Sequence, residues 1–232
     1  MLLLCLDTAT PQVSVAIGEE GAVLGEVRLG RGRRHAEQLA PAIEYLCREL
    51  DVDLARLSGI AVGLGPGLFT GLRVGVTTAK TMSQALRVPV VGVASLDLVA
   101  YSVRHTSRLV AAVLDARRGE VFHARYRPVP GGVQRVSDYE VGAPADLVAD
   151  LMAAGEEVLF AGDGAVRYRD ELAEVDRSEQ AGAAFAFPSG AALVELATAR
   201  MEREEFSSGW EVEPLYLRQS DAEIEWERRA AS

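Results

Sequence analysis

Gly63-Leu64-Gly65-Pro66-Gly67-Leu68-Phe69-Thr70-Gly71-Leu72-Arg73 is the stretch whose surroundings define the chain. The apolar run at residues 57–62 leads into it and predicts a buried strand. Residues 72–86, amphipathic and free of proline, lead out of it and predict a helix. Four glycines between a strand and a helix mean a tight turn and a close approach to a phosphate, to another part of the chain, or to a second protein. The stretch is not a Walker A loop, because Leu72 follows Gly71 where that motif needs lysine. It is a poor dinucleotide fingerprint too: Gly65-Pro66-Gly67 begins like GxGxxG, Thr70 stands in place of the last glycine, and no acid follows in the next strand. A strand-to-helix packing turn fits better. Gly71 and Gly75, four apart, would give the helix a smooth face for another backbone.

Outward from this stretch the chain shows an internal repeat. Upstream, residues 2–6 predict a buried strand ending at Asp7, residues 13–17 a second and 23–29 a third. The basic connection Arg31-Gly32-Arg33-Arg34 leads into a helix at 35–50, where Leu39, Ile43, Leu46 and Leu50 follow the helical period. Pro41 predicts a kink or a reset start in that helix. Downstream, Pro89 stops the second helix and residues 88–93 predict a strand. Leu6-Asp7, with Val13 six residues beyond the aspartate, is then answered by Leu114-Asp115, with Val121 six residues beyond. Strands at 121–126 and 133–139, a helix at 144–154, a strand at 157–161 and the turn Gly162-Asp163-Gly164 follow in the same order. A last helix at 189–206 and an extended tail with Pro214-Leu215-Tyr216-Leu217-Arg218 complete the chain. The expectation is an α/β protein of two duplicated βββαβα lobes, residues 1–104 and 105–232, with the tail from about 207 packing back on the first lobe. That layout resembles the actin-like, sugar-kinase-like ATPase (ASKHA) superfamily, a likeness that bears on architecture alone.

Composition excludes several classes. The 232 residues are 49% hydrophobic and 25% charged, enough for a sizeable core. A net charge of −10 argues against a surface that grips nucleic acid all over. Cys5 and Cys47 form no CxxC pair and are expected to be reduced. No run reaches the roughly 20 apolar residues that span a bilayer, so a soluble, cytoplasmic protein is expected. One charge pattern stands out. Between Ser58 and Leu96 the charged residues are Arg73, Lys80 and Arg87 alone, seven apart, which puts Arg73 and Lys80 on one helix face. This is either a solvated face or a basic stripe for an acidic partner or RNA.

Catalytic equipment is sparse. Asp7 and Asp115 could be the cleft acids of a kinase-like ATPase, but Asp7-Thr8-Ala9-Thr10 lacks phosphate-cradling glycines, and turn-capping is the favoured role. His35, His105 and His123 form no HxxxH or HExxH pair, so no metal site is expected. No serine or cysteine lies in a nucleophile elbow.

GPGLFTGLRVGVTTAK, with LDTATPQVSVAI, RRHAEQLAPAIEYL, VPVVGVASLDLVA, LDARRGEVFHARY, the GDG turn and the closing EPLYLR, resembles the TsaB (YeaZ) family over the whole chain. That family is required for making threonylcarbamoyladenosine in tRNA. Leu68 departs from it, standing where the family usually has serine. The paralogue TsaD carries an HxxxH metal motif where this chain reads Ala94-Ser95-Leu96-Asp97-Leu98. The resemblance therefore implies a subunit with no catalytic residue, metal or cofactor of its own. It implies pairing with TsaD, with TsaE joining, and homodimers through the same surface when alone. Acyl transfer from threonylcarbamoyl-adenylate to the adenosine beside the anticodon would occur at TsaD, with only indirect or weak tRNA contact here. The implied interface is the first two helices, with His35, Leu39, Ile43, Leu46, Leu72, Arg73, Val76, Ala79 and Lys80 as contacts. The loop residues Gly65, Pro66, Gly67, Phe69, Thr70 and Gly71 would launch the second helix. The alternative is an active small-molecule kinase or ATPase using Asp7 and Asp115.

Overall fold

The computed structural model describes residues 1–30 and 34–218. The basic connection at residues 31–33 and the end of the tail lie outside the described residues. The first half runs β1 (Leu2–Asp7), β2 (Val13–Glu19), β3 (Ala22–Leu29), α1 (His35–Glu49), β4 (Gly59–Gly63), α2 (Phe69–Leu86), β5 (Val90–Val93) and α3 (Ser95–Ser102). The second runs β6 (Leu109–Arg117), β7 (Glu120–Val129), β8 (Gly132–Arg135), β9 (Glu140–Gly142), α4 (Pro144–Ala154), β10 (Val158–Ala161), α5 (Asp163–Arg167), α6 (Arg169–Leu172), β11 (Ser178–Gln180) and α7 (Gly190–Glu202).

The repeat seen in the sequence is a repeat in space. The first sheet has the order β3-β2-β1-β4-β5 and the second β8-β7-β6-β10-β11, with β9 added against β7. In each sheet the first three strands are antiparallel and the last two join in parallel. Both central strands are buried on both faces, which explains why they read as unbroken apolar runs. In β1, Leu4 and Leu6 meet Leu39, Ile43, Leu46, Val76 and Ala79 of α1 and α2. Leu3 and Cys5 face the other way, into Leu193, Val194 and Ala197 of α7. Burial pushes the Cys5 thiol far above its ordinary pKa, so it stays a neutral, small hydrophobe.

Several elements differ from expectation: the strand expected at 133–139 ends at Arg135, β9 and β11 were not expected, and four helices depart as follows. Helix α1 runs through Pro41 as one element. The bond that proline cannot make would go to the carbonyl of Glu37, on the exposed side, while Leu39, Ile43 and Leu46 anchor the buried stripe. Helix α2 begins at Phe69 rather than Leu72, so Phe69, Thr70 and Gly71 are its first turn and not loop. Helix α3 has no counterpart in the sequence reading. It is packed between the two sheets, with Leu98 and Tyr101 in one core and Leu96, Val99 and Ala100 in the other, so no polar stripe marked it. Helix α7 ends at Glu202, short of Phe206, and although it follows the second sheet in the chain it packs on β1, β2 and β5 of the first.

The glycine stretch owes its shape to the turn after β1. A Cβ on Gly67 or Gly71 would overlap the carbonyl oxygen of Ala9 or Thr8, one on Gly63 the Asp7 carboxylate, and one on Gly75 the Thr8 hydroxyl, all well inside 3.0 Å. Helix propensity favours alanine over glycine by about 1 kcal/mol, but a backbone carbonyl cannot move aside as a flexible side chain can. Gly71→Ala is therefore expected to cost about 3 kcal/mol, read as a lowered urea midpoint. Gly142→Ala, whose Cβ would meet nothing nearer than 3.6 Å, should stay within about 1 kcal/mol. Equal midpoints for the two variants would refute the packing account.

Candidate partner interface

Asp7, Ser95 and the glycine loop form one hydrogen-bonded unit. The Gly65 amide donates to the Ser95 hydroxyl (3.2 Å), which donates to Asp7 Oδ2 (2.6 Å). The Ser95 amide returns a bond to the Gly65 carbonyl (2.7 Å), and the Ala9 amide donates to Asp7 Oδ1 (2.9 Å). The Leu68 amide donates to the Ala9 carbonyl (2.7 Å), and the Thr8 hydroxyl to the Gly71 carbonyl (2.7 Å). Both Asp7 oxygens are engaged, and its side chain is buried. That burial raises its pKa, against the opposing pull of the Ser95 and Ala9 hydrogen bonds and the nearby His35.

Asp115, at the matching place in the second sheet, caps its own turn in the same way. Its Oδ1 accepts from the Arg117 amide (2.9 Å) while Oδ2 pairs with Arg117 (3.0 Å) and Arg167 (3.7 Å). Asp163 of the GDG turn accepts from the Asp115 amide (3.0 Å), and burial raises its pKa to about 6. Both strand-end aspartates thus serve as turn caps.

Six of the contact positions expected on α1 and α2 turn inward. Leu39, Ile43, Leu46, Leu72, Val76 and Ala79 are all buried inside this chain's own first core. Helical periodicity marks the face turned toward the sheet, and that face is already occupied. His35 is buried too, its Nε2 donating to the Thr10 carbonyl (2.7 Å), so it ties α1 to the β1–β2 turn. Arg73 is exposed and Lys80 half-buried, both on the outer side.

The face left open is a groove of about 510 Å³ between the two helices. Small side chains supply most of its walls, Ala36 and Ala40 from α1 with Thr70, Thr77 and Thr78 from α2, and Leu39 and Val74 complete the lining. Phe69 and Arg73 close one end. The Arg73 guanidinium lies 3.9 Å over the Phe69 ring, and Tyr216 of the tail stacks on that same ring at 5.1 Å. Small alanines and threonines carry no periodic signal, so the groove was not readable beforehand. The faint clue was the pair Ala36 and Ala40, one turn apart and opposite the buried stripe. Leu68 is the N-cap of α2 and supplies no side-chain hydrogen bond there.

Comparison with known proteins agrees with this architecture. The family model described as "TsaD: tRNA N6-adenosine threonylcarbamoyltransferase" matches residues 29–226. The tRNA threonylcarbamoyladenosine biosynthesis protein TsaB of Bacillus subtilis is 30% identical over 226 residues, covering 97% of this chain and 98% of that protein. YeaZ from Pseudomonas aeruginosa is 32% identical with a TM-score of 0.81, over 93% of this chain and 99% of that one. An activator of 2-hydroxyisocaproyl-CoA dehydratase from Clostridium difficile shares the fold alone, at 11% identity and a TM-score of 0.51, over 93% of this chain and 100% of that one. The fold is therefore that of the actin-like, sugar-kinase-like ATPases, in the form seen in YeaZ. With both halves and the glycine turn aligned along nearly the whole length of the B. subtilis protein, this chain belongs to the TsaB (YeaZ) family.

Proposed function

We propose that this chain is a non-catalytic subunit in the cytoplasmic pathway that makes threonylcarbamoyladenosine in tRNA. In this reading it pairs with TsaD through the outer groove of α1 and α2, with TsaE joining the assembly. Alone, it forms a homodimer through the same groove, and its tRNA contact is indirect. The observation that carries this reading is the fate of Asp7. An active kinase-like enzyme needs its first strand-end acid free to face a phosphate or metal. Here the glycine loop covers the turn, and Ser95 and Ala9 take both oxygens. The neighbouring helices meanwhile leave a groove walled by small side chains.

The pairing surface is testable at a position that leaves the fold alone. Thr77 is exposed on the groove wall, and Thr77→Arg should weaken pairing with TsaD by roughly a hundredfold without shifting the melting temperature. Sedimentation velocity on the mixture reads this directly. Undiminished pairing would place the interface elsewhere. Charged substitutions at Val76 do not test it, since that side chain is buried in the monomer.

Asp7→Asn separates a turn cap from a catalytic acid. The amide keeps an acceptor for Ala9 and a hydrogen-bonding group toward Ser95. The folded-state pKa of Asp7 lies above the ordinary carboxylate value because the side chain is buried, so its contribution to stability is fullest below that ordinary value and is lost as pH rises through the folded pKa. At neutral pH the asparagine variant is expected to be as stable as the parent or more so, and to support tRNA modification with TsaD undiminished. Loss of modification with intact pairing would identify Asp7 as a reacting group.

A further inference from the structure

The tail returns along α2 from one end to the other. Ser207 pairs with Val90 by two hydrogen bonds of 2.9 Å, extending the edge strand β5. Val212 is buried in the core beneath α1 and α2. The Leu215 amide then donates to the Leu64 carbonyl of the glycine loop (2.7 Å), and Tyr216 lies on Phe69. Arg218 ends the run with a 2.8 Å ion pair to Glu120, at the start of β7 in the second sheet. Residues 214–218 thus touch the glycine loop, the first turn of α2 and the second sheet in succession.

Arg73 sits at the centre of this arrangement. Its guanidinium is stacked on Phe69, and its Nε donates to the Tyr216 hydroxyl (3.4 Å). Among the described residues neither it nor Lys80 nor Arg87 forms an ion pair with a carboxylate. Most arginines elsewhere in this acidic chain do form one. Glu37, the acid in the first turn of α1, lies 3.7 Å from Arg34. Stacking on an aromatic ring holds the planar guanidinium flat while leaving its outer edge free to grip a carboxylate with two parallel bonds. The small side chains beside it let a partner backbone come close.

We infer that residues 214–218 act as a clasp that sets Arg73 as the recognition cation of the groove, and that the protein segment seated there presents a carboxylate to it. This rests on the pairing proposed above. Arg73 is then a specificity-determining residue and Tyr216 a positioning residue acting through it. The clasp also links the second sheet to pairing, because Arg218 fixes its far end.

The test is a calorimetric titration of the full chain with the TsaD of its own host. Tyr216→Ala and Arg73→Gln should each weaken binding about tenfold. The double variant should be little weaker than either single one, since both remove the same contact. Tyr216→Phe, which keeps the ring, should stay within about twofold of the parent. Raised salt should narrow the gap between parent and Arg73→Gln. Arg73 is exposed, so its variant remains decisive even if Tyr216→Ala proves hard to fold. If the parent binds and Arg73→Gln binds equally well, the inference is overturned while the pairing stands. Fully additive losses in the double variant would overturn the clasp, because tyrosine and arginine would then act separately. A parent that does not bind TsaD at all would overturn both the pairing and the inference.

Discussion

Four glycines spaced four residues apart, Gly63, Gly67, Gly71 and Gly75, leave a track without side chains, and the turn at residues 7–9 lies in it. The track crosses a strand end, a loop and the first turns of a helix, so no single periodicity produces it. What it achieves is a backbone approach that any Cβ would block. The approach brings buried donors and acceptors together: the Leu68 amide with the Ala9 carbonyl, the Thr8 hydroxyl with the Gly71 carbonyl, and Ser95 with both Gly65 and Asp7. Each of these groups left unmade would cost about 1–3 kcal/mol. The positions of α2 and α3 and the closing of the first turn all follow from this one contact.

The second half solves the same problem with different residues. Gly162 and Gly164, after β10, crowd the backbone of Val113 and Leu114 as the first-half glycines crowd the β1 turn. The carboxylate that completes the arrangement is Asp163, reaching the Asp115 amide from across the sheet. In both halves the strand-end aspartate accepts from the amide two residues on. Duplication has preserved a mechanical device, an acid that caps its own turn while glycines press against it. In the first half the β1 turn and the glycine loop are bound directly to each other.

Much of this was legible because it is written in strong local signals. The Leu-Asp strand ends at Asp7 and Asp115, the matched element order and the apolar runs of β1 and β6 gave the duplicated fold. The buried stripe of α1 was also plain, and it marks the side of the helix turned toward the sheet. Leu39, Ile43 and Leu46 repeat with the helical period because they face the sheet, so the clearest pattern on the helix lies opposite any surface a partner can reach. Helix α3 was invisible for a related reason: buried between two sheets, it has no polar side to set its period. The tail contacts of Leu215, Tyr216 and Arg218 depend on pairings far apart in sequence, 98 residues for Arg218 with Glu120 and 143 for Tyr216 with Arg73, and an extended segment shows no period that points to its partner.

In the pairing proposed above, the two helices would be fixed from within before any contact. Each loop or side chain that must be ordered on binding lowers affinity, at about 0.5–1.5 kcal/mol for a rotamer-rich side chain. On α1 and α2 that ordering is already complete before a partner arrives. His35 ties α1 to the first turn, the glycine track seats α2, and the tail holds Phe69 and Arg73 at the end of the groove. The walls between them are mainly alanine, threonine and valine, which have little rotamer freedom left to lose. The engaged oxygens of Asp7 and the shape of the outer groove are thus consequences of the same packing. The contact that engages both Asp7 oxygens also seats α2 and so stiffens its outer surface.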